Sequence, residues 1–238
     1  MAAPAPRYRA VLFDALGTLI ALEPPWPALR RTLRDRHAIE ITEQEAKEAA
    51  LAEMSYYRDH HAEGSDAASL ADLRRRCAAV LRDRLPAAGS LGLDQVTDVL
   101  LDSLRFTPYP DAAPTLAALR SAGIRLSVVS NWDCSLRSVL AEVGLAGAVD
   151  AVVVSAEVGA QKPDAPIFVA ALAALRCTAE ESVFVGDSFE IDVAGARAAG
   201  LRAILLDRVA RHAGDASERI FSLADLLALV LPSAVKSA

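Results

Sequence analysis

The chain has 238 residues, enough for one large domain or for a domain carrying an insert. Hydrophobic residues make up 53% and charged residues 24%, which excludes wholesale disorder; aromatics at 5% leave a core built mainly from Ala, Leu and Val. The net charge of −6 argues against a polyanionic partner, so no nucleic acid is expected, and Arg74-Arg75-Arg76 reads as a solvated helix face.

In chain order, Ala10-Val11-Leu12-Phe13 is a continuous apolar run ending in Asp14, the pattern of a buried parallel strand, and Gly17-Thr18 marks a tight turn after it. From Pro24 to Leu104 no strand-like run occurs. Amphipathic helices are predicted instead over Pro25–Ile39, Thr42–His61, Asp66–Leu85 and Leu93–Leu104. Thr42 with Glu45 three residues later reads as a capping box, and Pro86–Ser90 as a break. From Tyr109 onward helices and strands alternate. Helices are predicted over Asp111–Ala122, Cys134–Val143, Asp164–Leu175 and Ile191–Ala199, and strands over Ile124–Val129, Val149–Val154, Ser182–Val185 and Arg202–Leu206. Short strands alternating with helices predict an α/β fold, a doubly wound parallel sheet covered on both faces. The domain limits follow: a core over 1–20 and 106–238, and an all-helical insert over 21–105. An insert that leaves the sheet after its first strand would sit above the strand ends as a lid.

Cys77, Cys134 and Cys177 are odd in number and form no C-x-x-C pair, the usage of reduced thiols in a cytosolic protein. No apolar run reaches the length of a membrane span; the longest candidate, Leu223–Leu231, is broken by Asp225. A cytoplasmic location and no membrane partner are therefore expected, for a monomer or homodimer.

Polar groups stand wherever a predicted strand meets a loop. Strand one ends in Asp14 and the next in Ser130-Asn131. Lys162-Pro163 follows the third, and Gly186-Asp187-Ser188, with Asp192 beyond, closes the fourth. Singly, each has a bland reading as a cap, a turn or a solvated side chain. Together, at the carboxyl ends of parallel strands, they mark the place where α/β sheets bind ligands.

The set resembles the haloacid dehalogenase superfamily. Phe13-Asp14-Ala15-Leu16-Gly17-Thr18-Leu19 is similar to its first motif, Val129-Ser130-Asn131 to its second, Lys162-Pro163 to its third, and Val185-Gly186-Asp187-Ser188-Phe189-Glu190-Ile191-Asp192 to its fourth. The resemblance implies a Rossmann-like core with a helical cap inserted after the first strand. It further implies a hydrolase acting on a small phosphorylated molecule through an intermediate on Asp14. Asp14 is ionised at neutral pH and so competent as a nucleophile. Asp14 and Asp187 are hard oxygen ligands suited to Mg²⁺. The family pattern adds the Leu16 carbonyl as a ligand and Asp192 as a nearer or more distant partner of the ion. Lys162 would hold the nucleophile and a phosphoryl oxygen, and Ser130 and Asn131 would bind the phosphoryl group.

One position departs from the pattern. Phosphatases of this superfamily usually carry a second Asp two residues after the nucleophile, as general acid and base; here it is Leu16. Such help is typically worth about 10²–10⁴ in rate. Three readings stay open: a phosphohydrolase whose leaving group needs little protonation, a metal-independent 2-haloacid dehalogenase, and a binding protein with a relict site. Two further buried carboxylates beside Asp14 would raise its pKa unless a cation sat there, which favours the first. Candidates for substrate choice in the insert are Arg30, Arg31, Arg34, Tyr56, Tyr57, Arg58, His60 and His61. Trp26 and Trp132 read as anchors.

Overall fold

The computed structural model describes residues 8–210 and 218–231. The chain begins with strand β1 (Ala10–Phe13), all four residues of which are fully buried. Two short strands, β2 (Ile20–Leu22) and β3 (Phe106–Pro108), pair with each other as the chain leaves for the helical segment and returns. Neither was legible as a strand, because three residues carry too little alternation to stand out.

Between them lie α1 (Pro25–His37), α2 (Glu43–His60), α3 (Ala67–Asp83) and α4 (Leu93–Ser103). Their limits follow local chemistry. Ala38 turns into the left-handed region and returns its amide to Arg34 O, so α1 stops short of Ile39. The capping box of α2 is formed: Thr42 Oγ1 accepts from Glu45 N at 3.2 Å, and Glu45 Oε2 accepts from Thr42 N at 2.7 Å. Asp66 caps α3 by accepting from Ala68 N and Ser69 N at 3.0 and 2.9 Å.

The remainder alternates: α5 (Ala112–Ser121), β4 (Arg125–Ser130), α6 (Leu136–Glu142), β5 (Ala151–Val154), α7 (Ser155–Val158), α8 (Ala165–Leu175), β6 (Ser182–Gly186), α9 (Ala194–Ala198), β7 (Arg202–Leu206), β8 (Arg219–Ile220) and α10 (Leu223–Val230). Helix α6 begins two residues later than predicted. Cys134 N donates to Gly64 O, and Ser135 N donates to the Asp133 side chain. Helix α9 is preceded by a wide turn over Phe189–Val193. The apolar stretch Leu223–Leu231 is mostly α10, capped by Ser222 and Asp225. No described helix is long and apolar enough to cross a membrane.

The main sheet has six strands in the order β5-β4-β1-β6-β7-β8, all pairs parallel. This is the α/β parallel-sheet fold expected from the sequence. β1 lies between β4 and β6, with Phe13 in register with Val128 on one side and Val185 on the other. The strand order reverses at β1, so its carboxyl end is the switch point where a crevice opens.

The backbone divides into two compact units. One comprises 1–21, 108–131 and 136–238 and holds the main sheet; the other comprises 22–107 together with 132–135 and holds the four long helices. In the α/β unit, Leu12, Val129, Ile167, Phe168, Phe184 and Leu205 pack together, with the Phe168 and Phe184 rings edge to face at 5.2 Å. In the helical unit, Leu29, Leu33, Leu73, Leu81, Val96, Val99 and Leu100 form a separate core. Leu73 is completely buried there. Leu73→Ala is expected to lower the stability of the helical unit by about 2–5 kcal/mol, read from urea unfolding followed by circular dichroism.

Candidate active site

The sheet brings the sequence motifs together. Asp14 follows β1, Ser130 ends β4, and Gly186-Asp187 close β6; the three strands are neighbours. Lys162 lies on the loop between α7 and α8. Its ammonium donates to Asp14 Oδ1 and to Asp192 Oδ1, both at 2.6 Å. Ser130 Oγ donates to Asp14 Oδ1 at 3.3 Å. All four residues are buried: Asp14 is 6% exposed, and Ser130, Lys162 and Asp192 are 2–3% exposed.

Asp192 spends its other oxygen on Ser188 N at 3.0 Å, so its carboxylate both pairs with Lys162 and ties down the loop after β6. Asn131 turns its side chain onto the backbone of the lysine: Lys162 N donates to Asn131 Oδ1 at 2.7 Å, and Asn131 Nδ2 donates to Lys162 O at 2.9 Å. Asn131 was expected to bind substrate. Its side-chain amide also fixes the residue that carries the ammonium.

Two glycines make the convergence possible. Gly17 has φ +87°, and a Cβ built on it would lie 2.1 Å from Asp187 Oδ2. A Cβ on Gly186 would lie 2.4 Å from Asp192 Cγ. Carboxylates pack directly against both backbones, which leaves room for no other residue.

Asp14, Asp187 and Asp192 each present a carboxylate oxygen, and these oxygens lie within 4.8 Å of one another. Such a set of hard donors suits Mg²⁺. The sequence reading took both Asp187 and Asp192 as buried. Asp192 is buried, but Asp187 is exposed, because it stands beyond the last residue of β6. Leu16 is also exposed, at 41%. The Asp14 carboxyl is raised to about 7: burial is the largest cause, Lys162 pulls against it, and Asp192 and Asp187 add to it. Burial works against the charge of Lys162, but Asp14 and Asp192 outweigh it and hold the ammonium above its ordinary range.

One support escaped the sequence reading. Arg208, just beyond β7, makes a two-pronged pair with Asp111, both bonds at 2.9 Å, and donates to Thr18 O at 2.9 Å. It lies 3.8 Å over the Tyr109 ring. Leu223 N donates to the same Asp111 carboxylate at 2.9 Å. This node pins the Ala15–Thr18 turn under Asp187.

The candidates in the helical unit are largely occupied within it. Arg30 donates to Ile41 O, Arg34 pairs with exposed Asp35, and Lys47 lies 5.6 Å over Trp26. Tyr56 and His60 stack at 4.0 Å, and His61 Nδ1 bonds Arg58 O. Tyr57 donates to Asp133 at 2.8 Å. Arg31 lines a groove of about 370 Å³ in that unit with Glu23 and Arg105; none of the residues around Asp14 lines it.

A family model described as haloacid dehalogenase-like hydrolase matches residues 8–200. A glyceraldehyde 3-phosphate phosphatase of Methanopyrus kandleri is 29% identical over 211 residues, 84% of each chain. A phosphoserine phosphatase of Thermus thermophilus is 37% identical over 132 residues, 55% of this chain and 53% of that one. Another glyceraldehyde 3-phosphate phosphatase, from Methanothermobacter thermautotrophicus, is matched over 56% of its length at 37% identity, so the alignment spans about half of some relatives. Among solved structures, a HAD phosphatase from Thermococcus onnurineus aligns with TM-score 0.65 and 28% identity over 93% of this chain and 97% of that one. An L-2-haloacid dehalogenase from Xanthobacter autotrophicus with chloropropionic acid covalently bound aligns with TM-score 0.66 over 93% and 98%; at 22% identity it shows the fold alone.

The raised Asp14 carboxyl has a consequence for stability. A raised pKa means that the native state favours the neutral form. The associated stability is complete below the ordinary value of 3.8 and is lost as pH rises through about 7. In protein treated with a chelator, thermal melts are expected to show stability falling between about pH 4 and pH 7, and Asp14→Asn should flatten that fall. Parallel profiles for the two proteins would contradict the assignment.

Proposed function

The chain belongs to the haloacid dehalogenase-like hydrolases, and on that footing we propose that it is a magnesium-dependent phosphohydrolase acting on a small phosphorylated metabolite. The observation that carries this reading is the buried contact of Lys162 with Asp14 beside a trio of carboxylates whose oxygens lie within 4.8 Å. Curated relatives named as phosphatases of small metabolites support it.

A carboxylate attacking a phosphate dianion must overcome like-charge repulsion, and positive charge at the site is what lowers that barrier. Asp14, Asp187 and the Leu16 carbonyl would hold Mg²⁺, with Asp192 beside it. The ion would supply charge neutralisation at the phosphoryl oxygens. An oxygen of Asp14 forms a bond to phosphorus as the bond to the leaving oxygen breaks, giving an aspartyl-phosphate. Water then attacks phosphorus, returns the Asp14 carboxylate and releases inorganic phosphate. Lys162 pulls Asp14 toward its ionised form and fixes its orientation, while the Ser130 hydroxyl is placed to donate to a phosphoryl oxygen. Asn131 holds Lys162 through its backbone. Substrate selection is assigned to the helical unit, the insert between the nucleophile and the rest of the site.

Leu16 sets the limit of this chemistry. It has no proton to give, so the first step suits leaving groups that depart as stable anions or carry their own acid. The same residue favours a second reading, dehalogenation of a 2-haloacid, in which halide leaves unprotonated. The acidic trio weighs against it, since that reaction has no use for three neighbouring carboxylates. The third reading, a relict site that only binds, is removed by any turnover that depends on Asp14.

Phosphate release from a panel of small phosphomonoesters should vanish on addition of EDTA and return with Mg²⁺, and Asp14→Asn should lower it by at least about 10³. Activity indifferent to EDTA, or halide release from 2-chloropropionate without metal, would overturn the phosphohydrolase reading in favour of the dehalogenase. Leu16→Asp should raise kcat on simple alkyl phosphates by about 10², with aryl phosphates gaining much less. An equal gain on both classes would mean that proton transfer was not what the site lacked.

A further inference from the structure

We infer that Tyr57 and Asp133 are positioning residues through which the helical unit sets the placement of Lys162. The inference rests on the role given to Lys162 above, and it adds residues that belong to neither the nucleophile nor the metal ligands.

The path is continuous on the chain. β4 delivers Ser130 to Asp14, and Asn131 then clamps the backbone of Lys162 through two hydrogen bonds that run in opposite directions. The next four residues, 132–135, leave the α/β unit and are part of the helical one. Several specific interactions hold them there. Asp133, 3% exposed, accepts from Tyr57 Oη at 2.8 Å and from Ser135 N at 2.7 Å. Cys134 N donates to Gly64 O at 2.9 Å. Trp132 packs on Phe106, with ring centroids 5.3 Å apart. Gly64 admits the loop: a Cβ there would lie 2.9 Å from Asp133 Cβ.

The chain therefore crosses between the units at 131–132 and again at 135–136, besides the two crossings at its insert. One peptide bond separates the clamp on Lys162 from the loop seated in the helical unit. Successive Cα atoms are fixed about 3.8 Å apart, so a displacement of Trp132–Ser135 is transmitted to Asn131 with little slack. Asn131 passes it to Lys162 through both backbone groups, and Lys162 to Asp14 and Asp192. The Trp132–Ser135 loop, held by Tyr57 and Gly64, thus holds Asn131, and through it the ammonium.

A buried carboxylate deprived of its phenolic donor is left short of a partner, so single-atom changes suffice as a test. Tyr57→Phe removes only the hydroxyl, and Asp133→Asn only the charge. In the full-length chain, hydrogen exchange followed by mass spectrometry should show the Lys162 amide, which donates to Asn131 Oδ1, exchanging about tenfold faster in both variants, with β6 and β7 unchanged. On a phosphomonoester turned over by the wild type, kcat should fall about tenfold while KM stays within about twofold. Faster exchange confined to the helical unit and 132–135, with Lys162 unaltered, would overturn the inference. If Asp133→Asn loosens the whole chain, Tyr57→Phe decides. Exchange at Lys162 is independent of turnover, so a protein inactive on every phosphomonoester would sink the proposed reaction while the coupling was still judged on its own.

Discussion

A buried ammonium shared between two carboxylates is the constraint that the α/β unit is arranged to satisfy. Lys162 touches Asp14 and Asp192 at 2.6 Å each, with almost no water reaching any of the three. Removing one member of such a group leaves an uncompensated buried charge, typically at a cost of about 3–5 kcal/mol. Asp187 adds a third carboxylate, so the group remains anionic even with Lys162 charged. That surplus makes a divalent cation the natural complement, and it adds to the burial that drives Asp14 upward.

The geometry that meets this constraint comes from β1 lying between β4 and β6, which delivers three loops to one place. Backbone then has to yield to side chains. Gly17 and Gly186 let carboxylates lie where a Cβ would be, and Arg208 with Asp111 holds the first of these turns from behind. Supports of this kind lie outside the reacting atoms but fix their spacing, and spacing is most of what a phosphoryl-transfer site contributes.

Much of this was legible in one dimension because parallel strands announce themselves as apolar runs and the polar residues that end them stand out. Asp14, Ser130, Lys162, Asp187 and Asp192 were all found that way, and the structure brings them together. What was not legible depends on side chains meeting across the fold. Asn131 was expected to bind the phosphoryl group because it follows Ser130; that its side-chain amide also clamps the backbone of Lys162 could not be read in the sequence. Asp187 was read as a buried carboxylate beside Asp14, yet it lies one residue past the sheet and is exposed. The bond from the Cys134 amide to Gly64 O joins residues too far apart in sequence to be read there. Strands as short as β2, β3 and β8 have no periodicity to read.

The position of β1 also shapes how the chain assembles. Ala10 has one neighbour at Arg125 and the other at Ser182. During synthesis this apolar strand leaves the ribosome well before either of them exists. The helices that follow it bury their own core through contacts near in sequence, so they form quickly, whereas closing the sheet around β1 is a slow, long-range event. Until β4 emerges, β1 is an unpaired hydrophobic edge, the segment most exposed to chaperones and to mispairing with another copy. By gathering Leu22–Thr107 into a unit of its own, the fold draws the two ends of a long detour together and shortens the search that β1 must complete.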